Sequence, residues 1–434
     1  MINSIWRNET KLPEFPQLKG DIKTDVLIIG GGMAGLMCAY TLQQKGIDYI
    51  LVEADKICGG VTQNTTAKIT SGHSLIYDKL INRFGVEAAK LYYKAGEQAL
   101  EKYKTLCQNI SCDFEEKDSF IYSLSDRQKL EKEMYALKKI GAKADFRESI
   151  NLPFKTVGAV RYKNQAQFNP LKFATAICKD LKIYENTKVL DFGGNCYKTN
   201  GGRITAQKVI VATHFPIFNK HGSYFLKMYQ HRSYVIAYKN APILDGMYLD
   251  ENEKGLSFRN YKDIWLLGGG SHRTGKQGGN YNELLGFAKK HYKNAQEVCR
   301  FATQDCMTLD SVPYIGRYSK NTPNLFVITG FNKWGMTSSL IGAELLCDLI
   351  LERANKYEEL FSPSRSILHP QLAVNAFESA VNLLAPTAPR CPHLGCALKW
   401  NSAEHSWDCP CHGSRFSKGG KLLNNPATDD LNIK

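Results

Sequence analysis

No apolar run in this 434-residue chain approaches the ~20 residues that a membrane-spanning helix needs. The first ten residues, MINSIWRNET, lack the basic-then-apolar order of a secretory leader, and no Arg-Arg pair precedes the first expected strand. A cytoplasmic protein without a transmembrane segment is therefore expected. Nothing repeats at a period of 20–50 residues, and low-complexity tracts are missing, so a solenoid or a long disordered tail is not expected. There is no Ser/His/Asp arrangement and no HExxH. Although the net charge is +14, no basic block interleaved with aromatics occurs, so nucleic acid is not an expected partner. Regular cysteine spacing is missing too. Of thirteen cysteines, nine are scattered ahead of residue 391, which suits a reducing compartment better than a disulfide framework.

What the chain does have is concentrated at its two ends. Residues 391–396 read Cys391-Pro392-His393-Leu394-Gly395-Cys396, and residues 409–414 read Cys409-Pro410-Cys411-His412-Gly413-Ser414. Each cluster holds a Cys/His pair and a second cysteine. Two cysteines on one iron and two histidines on the other hold a Rieske [2Fe–2S] centre, the neutral imidazoles raising its potential. A tetrahedral zinc site uses the same ligand types. Zinc gives no use for the extra cysteine pair, for Gly395 or for Gly413-Ser414. Residues 389–434 resemble the Rieske proteins. The resemblance implies Cys391, His393, Cys409 and His412 as ligands, with a Cys396–Cys411 disulfide clipping the two loops together.

At the other end, an apolar stretch at residues 24–29 runs into Gly30-Gly31-Gly32-Met33-Ala34-Gly35 and then a helical pattern to Lys45. This is GxGxxG between a strand and a helix, the setting in which it binds a dinucleotide. Gly30 permits the tight turn, Gly32 the close approach of a pyrophosphate, and Gly35 close helix–strand packing. The helix N-terminus offers N–H donors to the phosphates. Glu53 ends the next strand, 23 residues after Gly30, where its carboxylate suits a ribose diol.

Two later segments distinguish FAD from a nicotinamide. Residues 208–213 form a strand ending in Ala212-Thr213, after a hairpin signal at Asn200-Gly201. Residues 324–337 run from a strand through Gly330 to Gly335-Met336-Thr337, with Asp310–Gly316 just before. Together with GxGxxG, this order resembles the D-amino-acid oxidase/glycine oxidase superfamily over residues 22–355. The resemblance implies non-covalent FAD, with Gly30, Gly31, Gly32, Met33, Ala34, Gly35 and Glu53 at its ADP half and Val189 touching the adenine. It places Gly330, Gly335, Met336 and Thr337 near the flavin ring, where N–H groups at a helix start stabilise negative charge. Thr65, Thr66 and Lys68 fall in the loop that passes the ring. Cys58 reads as a small filler near the pyrophosphate.

The fold class is α/β and two-lobed. An oxidoreductase body at 22–365 interleaves FAD-binding parts (about 22–85, 165–215 and 306–355) with parts of an antiparallel-sheet substrate domain (about 86–164 and 216–305). A helix and linker follow at 366–388, then a small all-β Rieske module at 389–434. Segments 86–109 and 126–140 have helical apolar spacing, while 224–240 and 255–269 read as strands. Arg232, Tyr234 and His272, on or after those strands, are the candidates for facing a small-molecule substrate. The resemblance implies oxidation of a CH–NH bond of an amine or amino acid, with one-electron transfer between flavin and cluster. Electron flow from an external donor through the cluster to the flavin is the alternative, as is a non-catalytic redox sensor. The positive excess lies ahead of residue 366, because 366–434 hold six Lys/Arg against five Asp/Glu. A solvated lysine-rich face accounts for it, and steering of an acidic electron-transfer partner is the sharper reading.

The module departs from the Rieske pattern in two ways. The base strands that usually precede the first ligand loop are missing, so so short a piece must lean on the body, with Trp400 and Trp407 expected to supply packing area. Phe416 stands where high-potential members carry a tyrosine that donates to a ligand thiolate. Losing a donor to sulfur destabilises the more negative reduced state and lowers the potential. Phe416→Tyr is expected to raise the cluster potential in an EPR-monitored redox titration, and an unchanged midpoint contradicts the argument.

Overall fold

The computed structural model describes residues 4–218, 220–278, 280–385 and 389–432. Its first sheet is built around the apolar strand Ile22–Ile29, which lies parallel between Arg203–Val211 and Tyr49–Val52. Leu325–Thr329 and Ile183–Tyr184 extend the sheet on either side, and Tyr314–Arg317 closes one edge antiparallel. Side chains alternate between two faces. Val26 and Ile28 enter the core shared with helices Met33–Gln44 and Gly335–Ile350, while Leu27 and Ile29 pack with Phe215 and Tyr318. A Cβ on Gly35 would stand 1.9 Å from the Gly30 carbonyl oxygen, so only glycine lets the helix sit this close. Gly30 has φ +112° and backs onto the Ala212 carbonyl at 2.6 Å from its own ideal Cβ.

The second sheet has nine strands, running from Gln296–Thr308 through Met228–Lys239, Ile264–Arg273, Ser257–Tyr261 and Gly246–Asp250 to Glu115–Ser123, Gly158–Gln167 and Lys68–Ile69. Ala144–Arg147 pairs on Gly158–Gln167. Pairing is antiparallel except where Gly246–Asp250 meets Glu115–Ser123. That one parallel join fuses two antiparallel ribbons contributed by distant parts of the chain. The expected helices appear within Tyr77–Cys107 and Arg127–Ile140, the latter capped by Gly141 at φ +72°. The expected strand at 224–240 begins only at Met228. Residues Tyr224–Lys227 form a helical turn instead, held by the Tyr224 hydroxyl on the Tyr318 carbonyl at 2.9 Å. No helix among the described residues is long and apolar enough to cross a membrane.

The C-terminal part starts with helix Pro370–Leu384, opened by Pro370 and by His369, whose Nδ1 accepts from the Gln371 amide. The expected linker includes 386–388, between Ala385 and Pro389, which fall outside the described residues. Strands Lys399–Asn401, Ser406–Asp408, Arg415–Ser417 and Leu422–Asn424 then form an antiparallel sheet. Among the described residues from Pro370 to Cys391 there is no strand, only an isolated bridge between Arg390 and Ala397, and the helix takes the place of the base strands. Its Asn382 carbonyl accepts from the Ala397 amide at 2.9 Å, and the Arg390 guanidinium reaches the Asn382 and Leu383 carbonyls.

The module leans on the body, but not through its tryptophans. Trp400 is 41 % exposed and meets Trp407 edge-on at 5.1 Å. The seam is polar because the tight loop at Cys409–Gly413 leaves its carbonyls without ladder partners. Arg273 donates to the Pro410 and Cys411 carbonyls at 3.0 and 3.1 Å, Gln230 to that of His412 at 2.7 Å, and Gln304 to that of Gly413 at 2.7 Å. Beside them Arg232 forms a buried two-point ion pair with Glu404, with Nε to Oε2 at 2.8 Å. Removing one partner of a buried pair costs about 3–5 kcal/mol. Glu404→Ala is therefore expected to make the 385–389 connector far more sensitive to limited proteolysis, and unchanged cleavage would remove the pair's docking role.

Candidate functional site

The glycine loop opens onto a cleft of about 390 Å³ between the first sheet and the loop at 59–62. Gly30, Gly32, Met33, Ala34, Glu53 and Val189 line it at one end, and Gly335 and Met336 at the other. A Cβ on Gly32 would meet only the Thr62 hydroxyl, at 3.5 Å, so this glycine keeps the cradle open for a phosphate. Gly31 and Gly35 stand behind the lining. Glu53 accepts from the Gly31 amide at 2.7 Å and from the Asp55 amide at 3.0 Å, which pins the loop. Burial raises its pKa, and each oxygen keeps a second lone pair for a ribose hydroxyl. Thr62, which no sequence motif singles out, accepts from the Met33 amide at 3.0 Å. Gly330 and Thr337 do not line the cleft. A Cβ on Gly330 would strike Thr308 at 2.4 Å, and Thr337 is tied to Thr70, donating to its carbonyl at 3.0 Å. Both shape the loop rather than border the cofactor space.

A chamber of about 210 Å³ adjoins this cleft, and Thr65, Asp305, Lys333, Gly335 and Met336 border both. Thr66 and Lys68 line the chamber. Trp6, from helix Ile5–Glu9, donates to the Thr65 carbonyl at 2.8 Å, and Arg259 bonds those of Thr66 and Ala67, so a short N-terminal helix and a buried arginine fix the loop. Lys68 donates to the Tyr248 carbonyl and Ser257 hydroxyl at 2.9 and 2.7 Å, and burial brings its pKa down to about 7. Burial likewise pushes Asp305 up to about 6. Lys333 donates to Ser271 at 2.6 Å and is lowered, chiefly by burial. His73 stacks on Trp334 at 4.9 Å and is held neutral, its pKa near 3 through burial.

Of the three expected substrate-facing residues, Tyr234 borders this chamber and Arg232 and His272 do not. Arg232 is spent on Glu404. His272 lies outside the lining, its ring stacked on Tyr234 at 5.8 Å and its Nδ1 at 3.1 Å from the Gly270 carbonyl. Tyr234 borders the chamber, but its ring joins the aromatic core with Tyr281 at 4.9 Å. Alternation decides this. On Met228–Lys239, Val235 packs into one core and Tyr234 into another, so neighbouring side chains take opposite faces, and Arg232 shares the face of Tyr234.

At the C-terminal module, Cys391, Cys409 and His412 are buried and His393 is half-buried. The two imidazoles meet at 4.9 Å between ring centroids, nearly perpendicular. Neither buried ring nitrogen of His412 makes a standard hydrogen bond, and burial, helped by His393, lowers its pKa to about 3. A neutral imidazole with unsatisfied nitrogens is a metal ligand in waiting. The Cys409 thiol, and then Ser414, hold the Cys391 thiol down at about 7, close to thiolate. The Ser414 hydroxyl accepts from the Ala427 amide at 3.0 Å, which leaves its proton for a sulfur. Cys396 and Cys411 are joined as a disulfide that lies against Cys409. Phe416 is buried among the cysteines. Two cysteines, two neutral imidazoles and a bridging disulfide fit a Rieske cluster.

A family model described as FAD dependent oxidoreductase matches residues 25–349, and one described as Rieske [2Fe-2S] domain matches residues 370–433. YhfW of Bacillus subtilis, named as a Rieske 2Fe-2S iron-sulfur protein, is 34 % identical over 99 % of this chain and 96 % of its own. Gamma-glutamylputrescine oxidoreductase of Escherichia coli is 22 % identical over 80 % of this chain and 88 % of its own. Among solved structures, glycine oxidase from Geobacillus kaustophilus shares the fold with a TM-score of 0.66 at 18 % identity, covering 79 % of this chain and 99 % of that one.

Asp305 gives a signed pH effect. Its folded pKa is raised from 3.8 to about 6, so the folded state keeps the proton longer and stability falls as pH climbs through that window. Asp305→Asn removes the loss. Denaturant unfolding of the FAD-free protein should show the variant gaining about 1–2 kcal/mol on the parent between pH 4 and pH 7. A constant difference would contradict the assignment.

Proposed function

The chain belongs to the FAD dependent oxidoreductase family, with FAD in its body and a Rieske [2Fe–2S] cluster in its C-terminal module, and we propose that it oxidises a CH–NH bond of an amine or amino acid. When bound, FAD supplies a two-electron acceptor and the cluster a one-electron carrier. The observation that carries the link between them is the position of residues 213–215. Thr213 and His214 line the FAD cleft, and Phe215, next along the chain, meets the His393 ring at 6.5 Å. Gln230 holds the His412 carbonyl, and Phe225 meets the His412 ring at 6.2 Å, so the histidine side of the module faces the body. In this reading Cys391, His393, Cys409 and His412 hold the cluster. Gly30, Gly32, Glu53 and Val189 hold the ADP half of FAD, and Gly335 and Met336 border the flavin ring. The working parts are the body at 22–365, the helix and linker at 366–388 and the module at 389–434.

The chamber supports an amine. Asp250, Glu251, Glu253 and Asp305 border it against Lys68, Lys79 and Lys333, and no arginine does so among the described residues. Asp305, where cleft and chamber join, would hold the substrate ammonium, and Lys68, near neutral at physiological pH, would take its proton so that the free amine reaches the ring. Relatives named for gamma-glutamylputrescine and glycine point to the same bond type. Electrons leaving the module would pass to an acidic carrier drawn by the lysine-rich body. Anaerobic mixing with a panel of amines and amino acids should bleach the flavin band and bring up the EPR signal of the reduced cluster. No bleaching with any member of the panel would overturn the substrate class.

A further inference from the structure

The cleft that takes FAD is walled partly by the iron–sulfur module itself. Leu422, Leu423, Asn424, Asn425, Ala427 and Thr428 border the same space as Gly30, Gly32 and Glu53. These six residues follow the cluster loops in the chain and belong to the module's last strand and its exit. They are fixed from both sides. The Asn425 amide donates to the carbonyls of Thr213 and Phe215, the latter at 2.8 Å, and its own carbonyl accepts from Gln230 at 3.0 Å. Lys188, beside Val189 in the lining, reaches the Thr428 carbonyl. The Ala427 amide, bonded to Ser414, ties this segment back to the second ligand loop.

We propose that residues 422–428 are an FAD-retaining element, a wall contributed by the Rieske module that must lift before the dinucleotide can leave. The wall and the cluster loops are one rigid piece through Ser414–Ala427 and the short sheet, so undocking the module opens the cleft. Linkage makes the relation reciprocal: a docked module holds FAD, and bound FAD holds the module docked. The proposal rests on FAD occupying this cleft and is independent of the substrate; a failed amine panel would leave it standing, since its readouts are cofactor release and backbone exchange.

Arg232 and Glu404 do not border the cleft, and Arg415, the second partner of Glu404 at 3.2 Å, keeps Asp408 at 2.9 Å and Asn424 at 3.2 Å, so Glu404→Ala loosens the dock without removing a cofactor contact. Release of FAD from purified holoprotein, followed by the fluorescence of free flavin, should be about tenfold faster in this variant, equivalent to about 1.4 kcal/mol of lost retention. An unchanged release rate in a variant whose connector has become protease-sensitive overturns the proposal. The unmodified protein supplies the second test. Hydrogen exchange at residues 422–428 should be at least about tenfold slower with FAD bound than after its removal. Equal exchange in the two states overturns the proposal whether or not the variant folds.

Discussion

Four consecutive carbonyls, from Pro410 to Gly413, each receive a side-chain hydrogen bond from one sheet of the flavoprotein body. The rest of the arrangement depends on that row. A loop that brings Cys409 and His412 to one place must turn tightly, so its carbonyls point outward with no ladder to pair them. Left buried and unpaired, each would cost about 1–3 kcal/mol. Arg273, Gln230 and Gln304 meet them, and Gln304 also donates to Gln230 at 2.6 Å, which joins the two glutamines in one network. Glycine lets the surfaces approach: a Cβ on Gly413 would lie 2.6 Å from Gln230, and one on Gly275 2.5 Å from Pro410. A directional seam of this kind fixes orientation as well as contact, which a greasy patch would not.

That orientation explains how so small a module can keep its shape. Its sheet is four strands of three residues each, and its own core is little more than the cysteines, Leu398, Phe416, Ala427 and Leu431. A core of that size does not hold a fold without help. The disulfide, the helix Pro370–Leu384 and the seam supply it. The same fixity brings the histidine side to residues 213–215 and the exit segment to the cofactor cleft. One docking event thus sets both the electron contact and the wall.

Much of this was legible in the sequence wherever the signal is local. GxGxxG lies within one turn and carries its own steric reasons, and the Cys/His quartet needs only residue type and short spacing. The helices at Tyr77–Cys107 and Arg127–Ile140 follow from apolar periodicity. What the sequence hides is long-range pairing. Arg232 reads as a polar residue on a substrate-domain strand, and nothing nearby reveals Glu404, 172 residues on, as its partner. His272 lies outside the chamber for a related reason, because one residue of strand phase decides which face a side chain takes, while Tyr234 reaches its border. Asp305 and Lys333 escaped notice because one sits mid-strand and the other in a loop read for its glycines. Trp400 misled through its size. A docking surface was expected to be apolar, and backbone carbonyls leave no trace in a sequence.

The central claim is that flavin and cluster exchange electrons within one docked chain. Its most direct measurement is the kinetics of electron redistribution after rapid photoreduction of the bound flavin, followed at the flavin and cluster absorbances over a range of protein concentrations. The account predicts a single first-order phase whose rate does not change with concentration. A rate that rises in proportion to concentration would mean that electrons pass between molecules, and would contradict it.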